Sequence, residues 1–178
     1  MTEHFEPEQE VQEEIARYHL LPVHFDGFIE LPELADGPLA LRLAEKYPGD
    51  EEKKHVPSYN FDVTLDGEKI GHANLRIGYK GGLMGDSLYY GGQVAYGIDE
   101  AHRGNGYAVR ACRLLVPVAM LHGMTVLYIT NAVANRASRR VCEKLGLRFV
   151  REAAIPPWHD LYERGHRFSN IYEWRLCP

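Results

Sequence analysis

The period of apolar and polar positions changes along the chain, and each change marks an element. Val11, Ile15 and Tyr18 recur at helical spacing within PEQEVQEEIARY (7–18), which predicts a short amphipathic helix. LALRLAEKYP (39–48) sets Leu39, Leu41 and Leu43 against Arg42 and Glu45, as a half-buried strand does. Tyr59, Phe61, Val63 and Leu65 alternate through SYNFDVTL (58–65), a second strand. Asp66-Gly67 follows at once and signals a two-residue hairpin. KIGHANLRIGY (69–79) is its return strand, with Ile70, His72, Asn74 and Arg76 on one face and Ala73, Leu75 and Ile77 on the other. Residues 27–35 favour no period, GDEEKK (49–54) reads as a solvated turn, and GGLMGDSLYYGG (81–92) as a glycine-rich connection. GQVAYGI (92–98) is a further antiparallel strand.

After residue 98 the period lengthens. NGYAVRACRLLVPVAMLH (105–122) predicts a helix whose stripe is Ala108, Ala111, Cys112, Leu115 and Ala119. Pro117 should kink it, and Gly123 stops it. TVLYIT (125–130) is continuously apolar and β-branched, the pattern of a buried parallel strand. A second helix covers 135–145 and ends at Gly146; LRFVREAAI (147–155) and NIYEWRL (170–176) are strands separated by a polar loop. This order predicts an α/β fold (mixed α+β): one mixed, largely antiparallel sheet with flanking helices.

Composition narrows the reading. The 178 residues are 45% hydrophobic and 25% charged, values of one globular domain spanning 1–178. Six of the acidic residues lie in positions 1–14, within an acidic N-terminal arm (1–18) read as a solvated, partly helical face; without them 19 acidic side chains stand against 20 basic ones. No basic stripe suggests nucleic acid. No apolar run approaches the roughly 20 residues of a membrane span, and MTEHFEPEQEVQEE has no apolar core of a signal peptide. Cys112, Cys142 and Cys177 are odd in number and far apart, which fits reduced thiols and a cytoplasmic home. The nine histidines show no HxxxH spacing, so no metal is expected. A monomer and a homodimer both remain open.

Candidate chemistry concentrates between Tyr96 and Ala108. A strand ends, a tight glycine loop follows, and a helix begins, so backbone N–H groups without internal acceptors face outward together. Such a helix start suits a pyrophosphate. Gly104 and Gly106 permit close approach, and Arg103 adds a cation. No Gly-Lys-Ser/Thr follows, and the third glycine of a dinucleotide fingerprint is missing.

Arg103-Gly104-Asn105-Gly106-Tyr107-Ala108 resembles the R/Q-x-x-G-x-G/A motif of the GNAT superfamily of acyl-CoA-dependent N-acetyltransferases. Asn135-Arg136-Ala137-Ser138, followed by Glu143-Lys144-Leu145-Gly146, resembles the N-x-x-S…E-K-x-G-F pattern of its ribosomal-protein N-terminal acetyltransferase branch. The resemblance covers residues 90–150. It implies that the amides of 103–108 hold the pyrophosphate of acetyl-CoA and that Ile98 pairs with the pantetheine arm. It implies that Asn135 contacts that arm or steadies the loop beside it. A splay between two strands would admit the thioester, whose carbonyl a main-chain N–H near Tyr96–Ile98 would polarise.

Where many members carry a tyrosine acid this chain has Cys142, read as a small buried apolar residue. Ser138, one turn earlier, is either the replacement acid or a helix residue bonding back to a carbonyl. His72 and Tyr96 border the expected cleft as candidate catalytic groups, with Asp99 and Glu100 at its mouth. In the 156–167 loop, Trp158 and Tyr162 would wall an acceptor site and Asp160 and Glu163 would meet a cationic amine. Only GDEEKK stands where family members usually place two helices. The activity implied is transfer of an acetyl or short acyl group from CoA to the primary amine of a small molecule or a peptide N-terminus, in a ternary complex. A non-catalytic acyl-CoA-binding domain and a different phosphate-ligand protein are the alternatives.

Overall fold

The computed structural model describes residues 6–18, 21–53, 55–78 and 88–176. Helix α1 (Gln9–Tyr18) is followed by strands β1 (Ala35–Asp36), β2 (Leu39–Tyr47), β3 (Ser58–Leu65), β4 (Glu68–Arg76) and β5 (Val94–Ile98), which form an antiparallel sheet in that order. The β3–β4 hairpin closes as its sequence demands. Leu65 pairs with Glu68, and Asp66 and Gly67 both take positive φ (50° and 87°), the signature of a type I′ turn.

Helix α2 (Tyr107–Leu121) lies across β2, β4 and β5. It runs through Pro117 to Leu121, with Gly123 at φ 75° just beyond its end. Its Ala111, Cys112, Leu115, Val118 and Ala119 are buried against Tyr59, Phe61, Ala73 and Leu75 of the sheet in one core. Each large apolar side chain so buried contributes roughly 1.5–3 kcal/mol. The remaining elements are β6 (Val126–Ala132), α3 (Arg136–Leu145), β7 (Arg148–Ala154), the short α4 (Asp160–Glu163) and β8 (Phe168–Arg175). No helix among the described residues is long and apolar enough to cross a membrane.

The structure differs from the sequence expectation in how the strands join. There are two sheets, not one: β6, β8 and β7 form a separate three-stranded sheet in that spatial order. β6 pairs antiparallel with β8, and no parallel ladder joins it to β5 among the described residues. The physical reason is Gln93, which is fully buried at the start of β5. Its N–H donates to the Tyr128 carbonyl of β6 (2.9 Å), and its side-chain oxygen accepts from the Tyr128 N–H (2.7 Å). The side chain thus takes a ladder bond that a neighbouring strand would have made. Its amide nitrogen donates to the Gly78 carbonyl (3.2 Å), tying the joint to the end of β4.

The acidic arm is also placed differently. Helix α1 packs Val11 into the core, and Glu14 is not solvated. Arg151 of β7 donates to Glu14 (Nη2–Oε1 2.6 Å), and the hydroxyl of Tyr89, in a helical turn over residues 88–91, donates to Glu14 as well. Arg151 reaches Glu10 too (3.3 Å). The acidity of the arm therefore answers a specific cation on the second sheet.

Gln93→Leu is expected to destabilise the protein, because the Tyr128 N–H and the Gly78 carbonyl would lose their buried partners. At about 1–3 kcal/mol for each buried group left unsatisfied, the melting temperature should fall by roughly 10 °C. Thermal unfolding followed by circular dichroism measures this, and an unchanged midpoint would show that other groups satisfy the joint.

Candidate active site

The turn from β5 into α2 shapes one end of the site. Beyond Ile98 the chain makes a single 3-10 turn (Glu100–His102), with the His102 N–H donating to the Asp99 carbonyl (2.9 Å). Gly104 and Gly106 follow in the left-handed region, at φ 84° and 77°. A Cβ at either would meet nothing within 4 Å, so the loop leaves open space above its backbone. Gly106 is the N-cap of α2 and supplies no side-chain cap. The Arg110 N–H, donating to the Gly106 carbonyl (3.2 Å), starts the helical ladder, so the N–H groups of Tyr107, Ala108 and Val109 have no helical acceptor. Together with the helix dipole they form an anion-seeking surface.

Side chains of the loop hold its shape. Arg103 Nε donates to the Ile98 carbonyl (2.8 Å), so that carbonyl already has a partner within the chain. Asn105 donates to the carbonyls of His102 (3.1 Å) and Arg103 (3.2 Å).

The loop opens onto a cavity of about 1220 Å³. Tyr96 and Ile98 line it from β5; Arg103, Gly104, Gly106, Tyr107 and Ala108 line it from the loop and α2; Asn135 and Ser138 line it from α3. Asn105 and His72 are not among its lining residues. The placement of His72 has a steric cause. It pairs across the sheet with Gly97, and with no side chain there the imidazole folds over that glycine, where an added Cβ would come within 2.5 Å of Cε1.

Strand β5 also turns backbone donors away from β4. The Arg76 N–H donates to the Gln93 carbonyl and the Asp99 N–H to the Ile70 carbonyl. These bonds flank the pairs Leu75–Val94 and Gly71–Ile98, which are therefore non-hydrogen-bonded pairs. By alternation, the N–H groups of Val94, Tyr96 and Ile98 point away from β4, on the edge beside which β6 diverges.

Above that edge, the Tyr96 hydroxyl and Ser138 Oγ lie 2.9 Å apart. Burial raises the pKa of the Tyr96 phenol, and its contact with Ser138 opposes that shift. Asn135 fixes the serine from behind: its Oδ1 accepts from the Ser138 N–H (3.1 Å) and caps α3. Cys142 lies fully buried on the same helix, its thiol pushed up to about 12 by burial, with Asn131 Nδ2 at 3.8 Å from Sγ.

The opposite end of the cavity is lined by Asn74 and Arg76 from β4, by Lys53 and His55, and by Trp158, Asp160 and Arg164. Only part of the 156–167 loop meets the sequence expectation. Trp158 and Asp160 face the cavity, but Asp160 holds Arg164 at 3.3 Å. Tyr162 and Glu163 do not line it; the Arg167 guanidinium lies over the Tyr162 ring at 3.8 Å. Asn74 Oδ1 is buried without a hydrogen-bond partner among the described residues.

The wall is strongly basic. Among the described residues, Lys53, Arg76, Arg103, Arg140, Lys144 and Arg164 line it against a single carboxylate, Asp160, in a chain of net charge −5. Arg76, Arg140 and Lys144 escaped sequence reasoning because each reads as the polar side of an amphipathic element. Among the described residues no group of three or more His, Cys, Asp or Glu is placed to hold a metal ion.

Comparison with known proteins follows the same architecture. Curated protein sequences give no match to the chain. Among solved structures, the apo form of RimL, the ribosomal L7/L12 alpha-N-protein acetyltransferase, is 13% identical with a TM-score of 0.57 over 82% of this chain and 98% of that one. RimJ of Mycobacterium smegmatis, in complex with CoA-disulfide, is 18% identical with a TM-score of 0.51 over 67% of this chain and 53% of that one. The ribosomal-protein-S5-alanine acetyltransferase of Vibrio fischeri is 16% identical with a TM-score of 0.51, covering 66% of this chain and 61% of that one. The match thus spans less than two thirds of several of these structures, including 62% of a probable acetyltransferase and 63% of the microcin C7 self-immunity acetyltransferase MccE. At these identities the likeness is one of fold. The family model for the acetyltransferase (GNAT) domain matches residues 13–148, from within α1 to the start of β7. That span takes in β5, the glycine loop, α2 and α3, and the chain belongs to the GNAT acetyltransferase family.

Proposed function

We propose that the protein transfers an acetyl group from acetyl-CoA to a primary amine, either a peptide N-terminus or a small molecule, by direct attack in a ternary complex. One observation carries this reading: the uncapped start of α2, the outward amides of β5 and the Ser138–Tyr96 hydroxyl pair belong to the same cavity. The amides of 103–108 take the pyrophosphate, with Arg140 and Lys144 on the wall as countercharge. Ile98 offers its N–H to the pantetheine arm while Arg103 occupies its carbonyl. The Tyr96 N–H is placed to bind the thioester carbonyl oxygen as negative charge develops there.

The amine nitrogen bonds to the carbonyl carbon, and the carbon–sulfur bond breaks with its electron pair leaving on sulfur. A thiolate whose thiol has an ordinary pKa near 8.5 leaves readily, and a proton from the Ser138–Tyr96 hydroxyl pair, which the pair recovers from solvent, completes the departure. The amine gives its own proton to solvent on the acceptor side, away from His72, whose ring folds over Gly97. The fold shared with ribosomal-protein acetyltransferases favours a peptide N-terminus as acceptor. The free buried thiols of Cys112 and Cys142 suit a reducing, cytoplasmic compartment.

Two measurements test this reading. Gly106→Ala places a methyl group in the open space over the loop and strains a φ of 77°. It should cost about 1–2 kcal/mol of stability and weaken acetyl-CoA at least about tenfold in calorimetric titration. Equal affinity in the folded variant would remove the phosphate site from this loop. Ser138→Ala should lower kcat about 10²-fold with little change in the KM for acetyl-CoA, and Tyr96→Phe should do much the same. If the pair acts as a unit, the double variant is no slower than the worse single one. Near-normal turnover of Ser138→Ala would make the pair structural.

A further inference from the structure

Among the described residues three Lys and Arg side chains line the acceptor end of the cavity, and two of them are held by carboxylates. Lys53 is bound to Asp50 (3.2 Å) and Arg164 to Asp160 (3.3 Å). Arg76, the last residue of β4, has no carboxylate partner among the described residues. Its Nη1 donates to the Gly92 carbonyl (3.0 Å), which leaves most of its five N–H donors unused. Burial depresses its pKa, and the field of Asp160, already engaged by Arg164, opposes that shift only in part. An arginine nevertheless remains charged inside a protein. A part-buried guanidinium on a cavity wall, bonded to no carboxylate among the described residues, makes a site that an anion completes.

We propose that Arg76 anchors a carboxylate carried by the acceptor, within about 10 Å of the amine that is acetylated. This rests on the acetyl-transfer reading above. The spacing follows from the strand. The bond to Gly92 holds the guanidinium beside that residue, four positions before Tyr96; the strand begins only at Val94 and Gly92 takes φ 74°, so the span is at most about 13 Å. A charge-assisted contact takes up about 3 Å of that length. The α-carboxylate of a free amino acid lies too close to its own amine to span the rest. An extended peptide advances about 3.3–3.6 Å per residue, so the acidic side chain of its third residue reaches Arg76. A straight ω-amino carboxylate of equal span does so too.

The test uses the full chain, acetyl-CoA and release of free thiol. Two peptides differing only in glutamate or glutamine as third residue are compared, and an ω-amino carboxylate is compared with its amide. The parent protein should favour the carboxylate member of a pair about 10²-fold in kcat/KM, because a planar guanidinium pairs with it bidentately. Preference within the peptide pair alone identifies a peptide acceptor, and within the ω-amino pair alone a small molecule. In Arg76→Gln the ratio should collapse towards one, and in Arg76→Lys it should be intermediate. Acetyl-CoA titration and a melting curve report separately that the variants are folded. Equal kcat/KM within both pairs for the parent protein would overturn the proposal, whether or not Arg76→Gln folds. So would an equal loss on both members in Arg76→Gln. If other amines release thiol and none of these four compounds does, the anchor falls and acetyl transfer stands; if no amine releases thiol, both fall.

Discussion

Two hydrogen bonds between Gln93 and Tyr128 hold the sheets together at one end and let them part at the other. Without that joint, β6 could continue the first sheet, and the outward amides of β5 would be spent in a ladder. With it, Val94, Tyr96 and Ile98 keep an edge turned away from β4, and α3 can bring Ser138 within 2.9 Å of the Tyr96 hydroxyl. The cost is a fully buried polar side chain, offset because both its oxygen and its nitrogen find backbone partners. A cavity of about 1220 Å³ between the sheets is thus a product of hydrogen-bond accounting as much as of packing.

Charge is sorted in the same way. The chain is acidic overall, yet the described residues of the cavity wall include six Lys and Arg against one Asp. Part of the compensating acidity sits on α1, where Glu10 and Glu14 take Arg151 well away from the wall. Concentrating positive potential in a concave, partly desolvated surface strengthens it for an anionic ligand. The uncapped start of α2 adds its dipole to the same space.

Local signals were legible in the sequence, and long-range ones were not. The Asp66-Gly67 hairpin, the stripe of α2 and the glycine loop at 104–106 each follow from a few neighbouring residues, and the structure has them. The division into two sheets did not show, because Gln93 reads as one polar position in a strand and its partner lies 35 residues away. The docking of the arm was equally hidden: nothing near Glu14 announces Arg151. His72 looked well placed by alternation, but alternation does not reveal that the residue opposite is a glycine over which the ring collapses. Arg76 stood in plain view on β4, and only its place on the cavity wall, with no carboxylate bonded to it among the described residues, distinguishes it from an ordinary surface arginine.

The contact between Glu14 and Arg151 spans 137 residues. Loop-closure entropy grows only slowly with length, so a contact across that span closes at little more cost than a shorter one. The first helix, acidic and short, thereby acts as a strap: it joins the beginning of the chain to the second sheet, and α1 cannot leave the core without giving up this pair.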